Sequence, residues 1–148
     1  RVITIDLVVI NQKRREINMK DLALLILRAG AGLFIMFNHG LMKVQALTSG
    51  GEIKFADPFS LGMGTSMTLS AFAEFLCAGL LVLGLFPRVS AGILVFNMFV
   101  AGIIHHATDP LAVKEMALLY LIIFISLLIL GAGKYSLNEL LPAKFRKY

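Results

Sequence analysis

The chain has a single cysteine, Cys77, and no tryptophan among its 148 residues. One thiol excludes an intrachain disulfide and a Cys-x-x-Cys redox pair. Charge is scarce: 16% of residues are Asp, Glu, Lys or Arg, against about 25% in a soluble globular domain. Hydrophobic residues reach 58% and mean hydropathy is +0.84, more apolar surface than a small core can bury. That balance argues against a soluble enzyme, a disordered tail and a nucleic-acid partner. No Fe–S, flavin or dinucleotide motif is recognisable, so a redox role would need a partner protein to carry electrons.

What is present is four long apolar runs, at about 22–41, 68–85, 89–106 and 112–131. A bilayer core is crossed by roughly 20 helical residues. Lipid offers the backbone no hydrogen bonds, so a spanning segment is a helix or part of a closed barrel. Continuous rather than alternating hydrophobicity selects helices. The expected fold is therefore all-α, an integral membrane four-helix bundle in contact with the lipid bilayer. Phe86-Pro87-Arg88 predicts a tight turn between the second and third helices, and Asp109-Pro110 a break before the fourth. The Gly-rich loop from 42 to 67 is long enough to expect a functional role.

The net charge of +5 reads as topology. Lys13, Arg14, Arg15, Lys20, Arg88, Lys134, Lys144, Arg146 and Lys147 fall on the side of the termini, against Lys43, Lys54 and Lys114 on the other. The positive-inside rule then places both termini in the cytoplasm (N-in, C-in), with the bacterial inner membrane as the expected location. The basic tail, 132–148, is expected to meet anionic lipid. Residues 1–18 differ from the rest. They open with a strand-like apolar run too short to span, and Met19 is expected to be the native start of a single domain over 19–148.

The informative residues are polar ones inside the spans: Arg28, Asn38, His39, Glu74, Asn97, His105, His106 and Tyr120. A charge at the bilayer centre costs about 2.5–3.5 kcal/mol on insertion scales, so such groups face the bundle and pair. At about 1.5 Å per residue, Glu74 and Asn97 share a level, ~10 and ~12 Å from the outer boundary. Arg28 and His39, eleven residues apart, would share one helix face. The first reading is a polar pocket of His39, Glu74, Asn97 and His105 with Arg28 below. Such a pocket suits a quinone headgroup, whose carbonyls need donors and whose reduction needs an acid or base. Beside it stands an Arg28–Glu74 ion pair that only fixes packing. Cys77, one turn from Glu74, either faces the pocket or fills the core. His39 and His105 at matching height also fit a bis-His haem site. His105, His106, Asp109 and Glu115 are a candidate set for a divalent metal. The small residues at 29–32 suit close helix approach.

Three pieces in order resemble the DoxX family of small four-helix bacterial membrane proteins. The first helix reads LRAGAGLFIMFNHGLMK, similar to the family's Arg-containing opening and His-Gly-x-x-Lys ending, here Arg28, His39, Gly40 and Lys43. The second reads AEFLCAGLLVLGLFPR, with Glu74, Gly79, Gly84 and Arg88 in the family's places. The end, LLILGAGKYSLNELL, is similar to the family's Gly-x-Gly-[Arg/Lys]-Tyr-Ser close. It departs at Asn138, where the family often carries Asp. The resemblance covers about residues 22–141. It implies Arg28, His39, Lys43 and Glu74 as the polar set, and a link in some members to quinone-dependent sulfur oxidation or to oxidative-stress complexes. The function expected is a membrane subunit of a redox system that contacts the quinone pool. A non-enzymatic scaffold or assembly partner and a small-solute carrier stand as alternatives, and a homo-oligomer is compatible with each. The chain lacks visible inverted repeats, which weighs against a carrier.

Overall fold

The computed structural model describes residues 2–142, with side chains described from residue 19 onward. Among these residues the regular structure is helical, with no strand. Four helices are long and apolar enough to cross a membrane: Met19–Thr48, Met63–Leu83, Pro87–His105 and Leu111–Leu130, called here spans one to four.

The expected boundaries shift in instructive ways. Span one is longer than 22–41, because Leu41–Thr48 continues the helix past Gly40. At its other end an unbroken α-helix runs Val2–Ile35. The strand-like reading of the first residues is thereby corrected: a helix already nucleated adds residues cheaply, and 11–21 holds no Pro or Gly to stop it. Span two begins at Met63, five residues before the expected 68. Its start is fixed by Asp57, whose carboxylate accepts from the Leu61 and Gly62 amides at 2.9 and 2.8 Å and from the Ser66 hydroxyl at 2.7 Å. The long connection is therefore 49–62. The basic tail beyond 142, and its expected meeting with lipid, lie outside the described residues.

The turn between spans two and three uses two left-handed residues, Gly84 (φ 69°) and Phe86 (φ 45°). Pro87 then opens span three in the first turn, where its missing amide costs nothing. Span four starts after Pro110. Consecutive spans run antiparallel, and the pairs one–two and three–four pack more extensively than two–three. The core contains Ile35, Cys77, Leu81, Leu94, Phe124 and Leu127. Spans one and two touch at their backbones: a Cβ on Gly40 would lie 2.5 Å from the Glu74 carbonyl oxygen.

Three of the spans contain a π-helical segment: Met36–Gly40, Phe72–Cys77 and Val100–His105. Those of spans one and three lie toward the long loop, and that of span two lies at mid-span. Single π turns inside α-helices are rare and gather at functional sites. Here they carry His39, Glu74 and His105.

Candidate functional site

Three charged side chains are buried in the spans: Asp21 and Arg28 toward one end of the bundle, and Glu74 about midway along span two. Arg28 is 2% exposed. It does not reach Glu74. Its guanidinium donates to the carbonyls of Leu81 (3.1 Å) and Val82 near the end of span two, and of Ala132 (3.3 Å) and Tyr135 beyond span four. Gly131 and Gly133 hold φ of 76° and 72°, a conformation that favours glycine. They fold the chain back so that these carbonyls turn inward. The Asn138 amide donates to the Gly84 carbonyl at 3.0 Å, closing the same knot. A cation against the last carbonyls of a helix is also favoured by the helix dipole. Neither the pocket role nor the ion pair expected of Arg28 is formed, because four backbone acceptors use its donors.

Glu74 is 4% exposed, on the π segment of span two. Its Oε2 pairs with the Lys43 ammonium. Its Oε1 accepts from Asn97 Nδ2 at 2.8 Å and from the Ser70 hydroxyl at 3.3 Å. Three spans thus meet at one carboxylate. Lys43 reaches it because span one continues to Thr48, and its ammonium lies 5.8 Å from the Phe55 ring centroid. A buried carboxylate held by one cation and two neutral donors is stable only while all three remain.

Glu74 opens on a cavity of about 840 Å³, within the size range of small-molecule sites. Lys43, Asn97, His39, His105, His106 and Tyr120 also line it, between walls rich in phenylalanine, leucine, isoleucine and methionine. The His39 ring meets Tyr120 edge-on at 6.5 Å, and Tyr120 stacks on Phe124 at 5.8 Å. His105 and His106 lie edge to face at 4.4 Å, and His106 Nδ1 is 2.6 Å from Asp109 Oδ2. On span one the cavity is lined by Ile35, His39 and Lys43, the last two within or beyond the π turn at Met36–Gly40.

The structure therefore gathers His39, Lys43, Glu74, Asn97, His105, His106 and Tyr120 around one cavity, and leaves three candidates out. Arg28 belongs to the knot at the close of span two. Asn38 is exposed and does not line the cavity. Cys77 is buried in the core cluster. The metal set is not assembled: among the described residues no three His, Cys, Asp or Glu side chains come together to hold an ion, and Glu115 is exposed. Sequence reasoning missed Ser70, which a four-residue step back from Glu74 would have found. It also missed the loop residues Phe55, Asp57 and Phe59. Only the Asp-Pro step at 57–58 hinted at order there.

Outside the spans, Asp57 is the titratable group most clearly tuned. The Ser66 hydroxyl first, and then the Gly62 and Leu61 amides, hold its carboxyl below the usual carboxylate range despite some desolvation. Asp57 thereby fixes the loop that forms part of the cavity rim.

The DoxX family model matches residues 23–107. That stretch holds Arg28, Lys43, Glu74, Asn97 and His105, and it stops short of span four and the glycine-rich knot. No curated protein and no solved structure matches the chain.

Proposed function

The chain belongs to the DoxX family, and on that premise we propose that its cavity binds a quinone headgroup. The protein then serves as the membrane subunit of a redox system that meets the quinone pool. One observation carries this reading: a carboxylate 4% exposed, bridged to a cation and an amide from two other spans, opening on an apolar cavity inside the membrane. A quinone carbonyl accepts hydrogen bonds and cannot donate; Lys43 and Asn97 supply donors. A quinol hydroxyl donates, and the Glu74 carboxylate accepts. The same cluster therefore suits both forms of the couple. Oxidation of a bound quinol releases two protons and two electrons. Glu74, with His39 and His105 on the walls, receives protons, and a redox partner protein takes the electrons. With both termini in the cytoplasm, as the Lys and Arg distribution argues, the site lies in the outer half of a bacterial inner membrane.

The test is protein purified gently from its own membrane, its bound lipids extracted and identified by mass spectrometry. Wild type is expected to retain a quinone near one per chain. Glu74→Gln, which keeps the shape and removes the charge, is expected to lose it while remaining folded. A wild type that holds no quinone and does not bind added quinone saturably overturns the reading. The polar cluster would then serve helix packing, as a scaffold requires.

A further inference from the structure

The cavity has two unlike rims. Toward the end of the bundle that carries the long loop, Lys54, His105 and His106 line it. Lower down, Leu69 and Phe72 of span two, Phe96 of span three and Phe59 of the loop line it, and each of these four is also exposed on the outside of the bundle. A side chain that is both cavity wall and outer surface marks an opening. Phe96 lies nine residues before the end of span three, about 14 Å below it at 1.5 Å per residue. That depth is inside the hydrocarbon, whose full thickness is about 30 Å.

The loop reaches this depth. The Phe59 ring stacks on Phe96, with centroids 6.4 Å apart and planes 10° from parallel. Irregular backbone near the hydrocarbon is tolerated only where it is buried in protein or lines a cavity. Asp57, bonded to Leu61, Gly62 and Ser66, pins the segment that presents Phe59. The opening between spans two and three is thus roofed by an aromatic ring and bordered by apolar side chains. A polar solute has no route to it through lipid.

We propose that this opening is the seat of the ligand's apolar tail. On the reading above, the quinone enters sideways from the bilayer, its head stops at Glu74 and Asn97, and its isoprenoid chain leaves between spans two and three under Phe59. Lipid is as apolar as the opening, so transfer from one to the other contributes little. What the opening adds is ring packing on the chain. The selectivity expected is therefore modest, and it is for tailed over tail-less quinones.

Two measurements on the full chain in lipid nanodiscs test this. In the first, decylubiquinone carrying a diazirine near the middle of its tail is photolysed with and without excess unlabelled decylubiquinone, and the labelled peptides are sequenced. Competable label on Leu69, Phe72 or Phe96 is the expected result. Competable label confined to spans one and four overturns the tail route and leaves the head site standing. No competable label anywhere overturns both. In the second, Phe59→Ala/Phe96→Ala is compared with wild type, each affinity being expressed per quinone in the membrane. The variant is expected to weaken decylubiquinone binding by about three- to tenfold, the scale of one or two lost ring contacts, with a tail-less quinone unchanged. Equal weakening of both ligands would mean that the rings only support the fold, and that result also overturns the tail seat.

Discussion

Arg28 and Glu74 are both buried charges in membrane-spanning helices, and they are treated in opposite ways. Arg28 spends its donors on four backbone carbonyls and does not line the cavity at Glu74. Its end of the bundle is closed by two left-handed glycines and a returning segment. Glu74 is bonded to three side chains from three spans and faces a cavity. Backbone acceptors cannot be rearranged without unfolding a helix end. Side-chain partners can rotate, exchange and admit a ligand. An ionisable residue inside a membrane is by default a functional candidate, yet burial alone does not separate the two cases. The identity of the partners does. Backbone partners make a knot, and side-chain partners around a cavity make a site.

The largest expected effect falls on the knot. Arg28→Ala takes the cation from four carbonyls; that of Leu81 keeps the Gly84 amide at 3.0 Å, and each buried acceptor left unsatisfied costs about 1–3 kcal/mol. Water reaches some of them, so a net loss of about 3 kcal/mol or more is expected, read as a large drop in thermal midpoint in detergent. Arg28→Lys recovers part of it, since an ammonium satisfies fewer carbonyls than a guanidinium. If Arg28→Ala keeps the wild-type midpoint and loses quinone instead, the division of labour is reversed.

This division was only half legible in the sequence. Hydropathy located the four spans, because lipid imposes a length and a composition that few other structures share. Depth arithmetic placed Glu74 level with Asn97, and they are hydrogen-bonded. The role of Arg28 was hidden, because its partners are carbonyls and every residue has one. The single clue was Gly131 and Gly133 just past span four. Lys43 was implied by the family resemblance, but its partner was not. With span one ended at 41 it read as a loop cation, whereas the helix continues to Thr48 and delivers it to Glu74. The π segments left no signature in composition.

A smaller effect sharpens the site half of the comparison. Lys43→Met leaves the Glu74 carboxylate with only Asn97 and Ser70, an expected cost of about 1–3 kcal/mol. Adding Glu74→Gln removes the charge that had lost its partner. The double variant should therefore be more stable than Lys43→Met alone and come within about 1 kcal/mol of wild type. Quinone retention should stay lost in both. Stability that returns without binding identifies a replaceable ion pair whose retention serves a ligand. A double variant no more stable than the single one would show that Lys43 acts on the fold independently of Glu74, and would move this end of the bundle closer to the knot in character.

The smallest effect concerns the loop that roofs the cavity. The carboxyl of Asp57 is held below its ordinary value, chiefly by the Ser66 hydroxyl. A depressed folded value means that the carboxylate contributes order above its unfolded value, near 4, and loses it as pH falls through the lower folded value. Amide exchange in 49–62 should therefore be slow and constant from neutral pH down to about 4, once corrected for its intrinsic pH dependence. It should quicken below that, while the helical amides of Ala78–Leu83 stay protected. Asp57→Asn should exchange faster at neutral pH and show no acid step. Because Asp57 sets the loop that carries Phe59, the same acid step should appear in the tail photolabel at Phe96 and not in label placed on the quinone head. A loop whose exchange ignores both acid and Asp57→Asn would be held by its aromatic contacts instead, and the roof would then be a fixed part of the bundle.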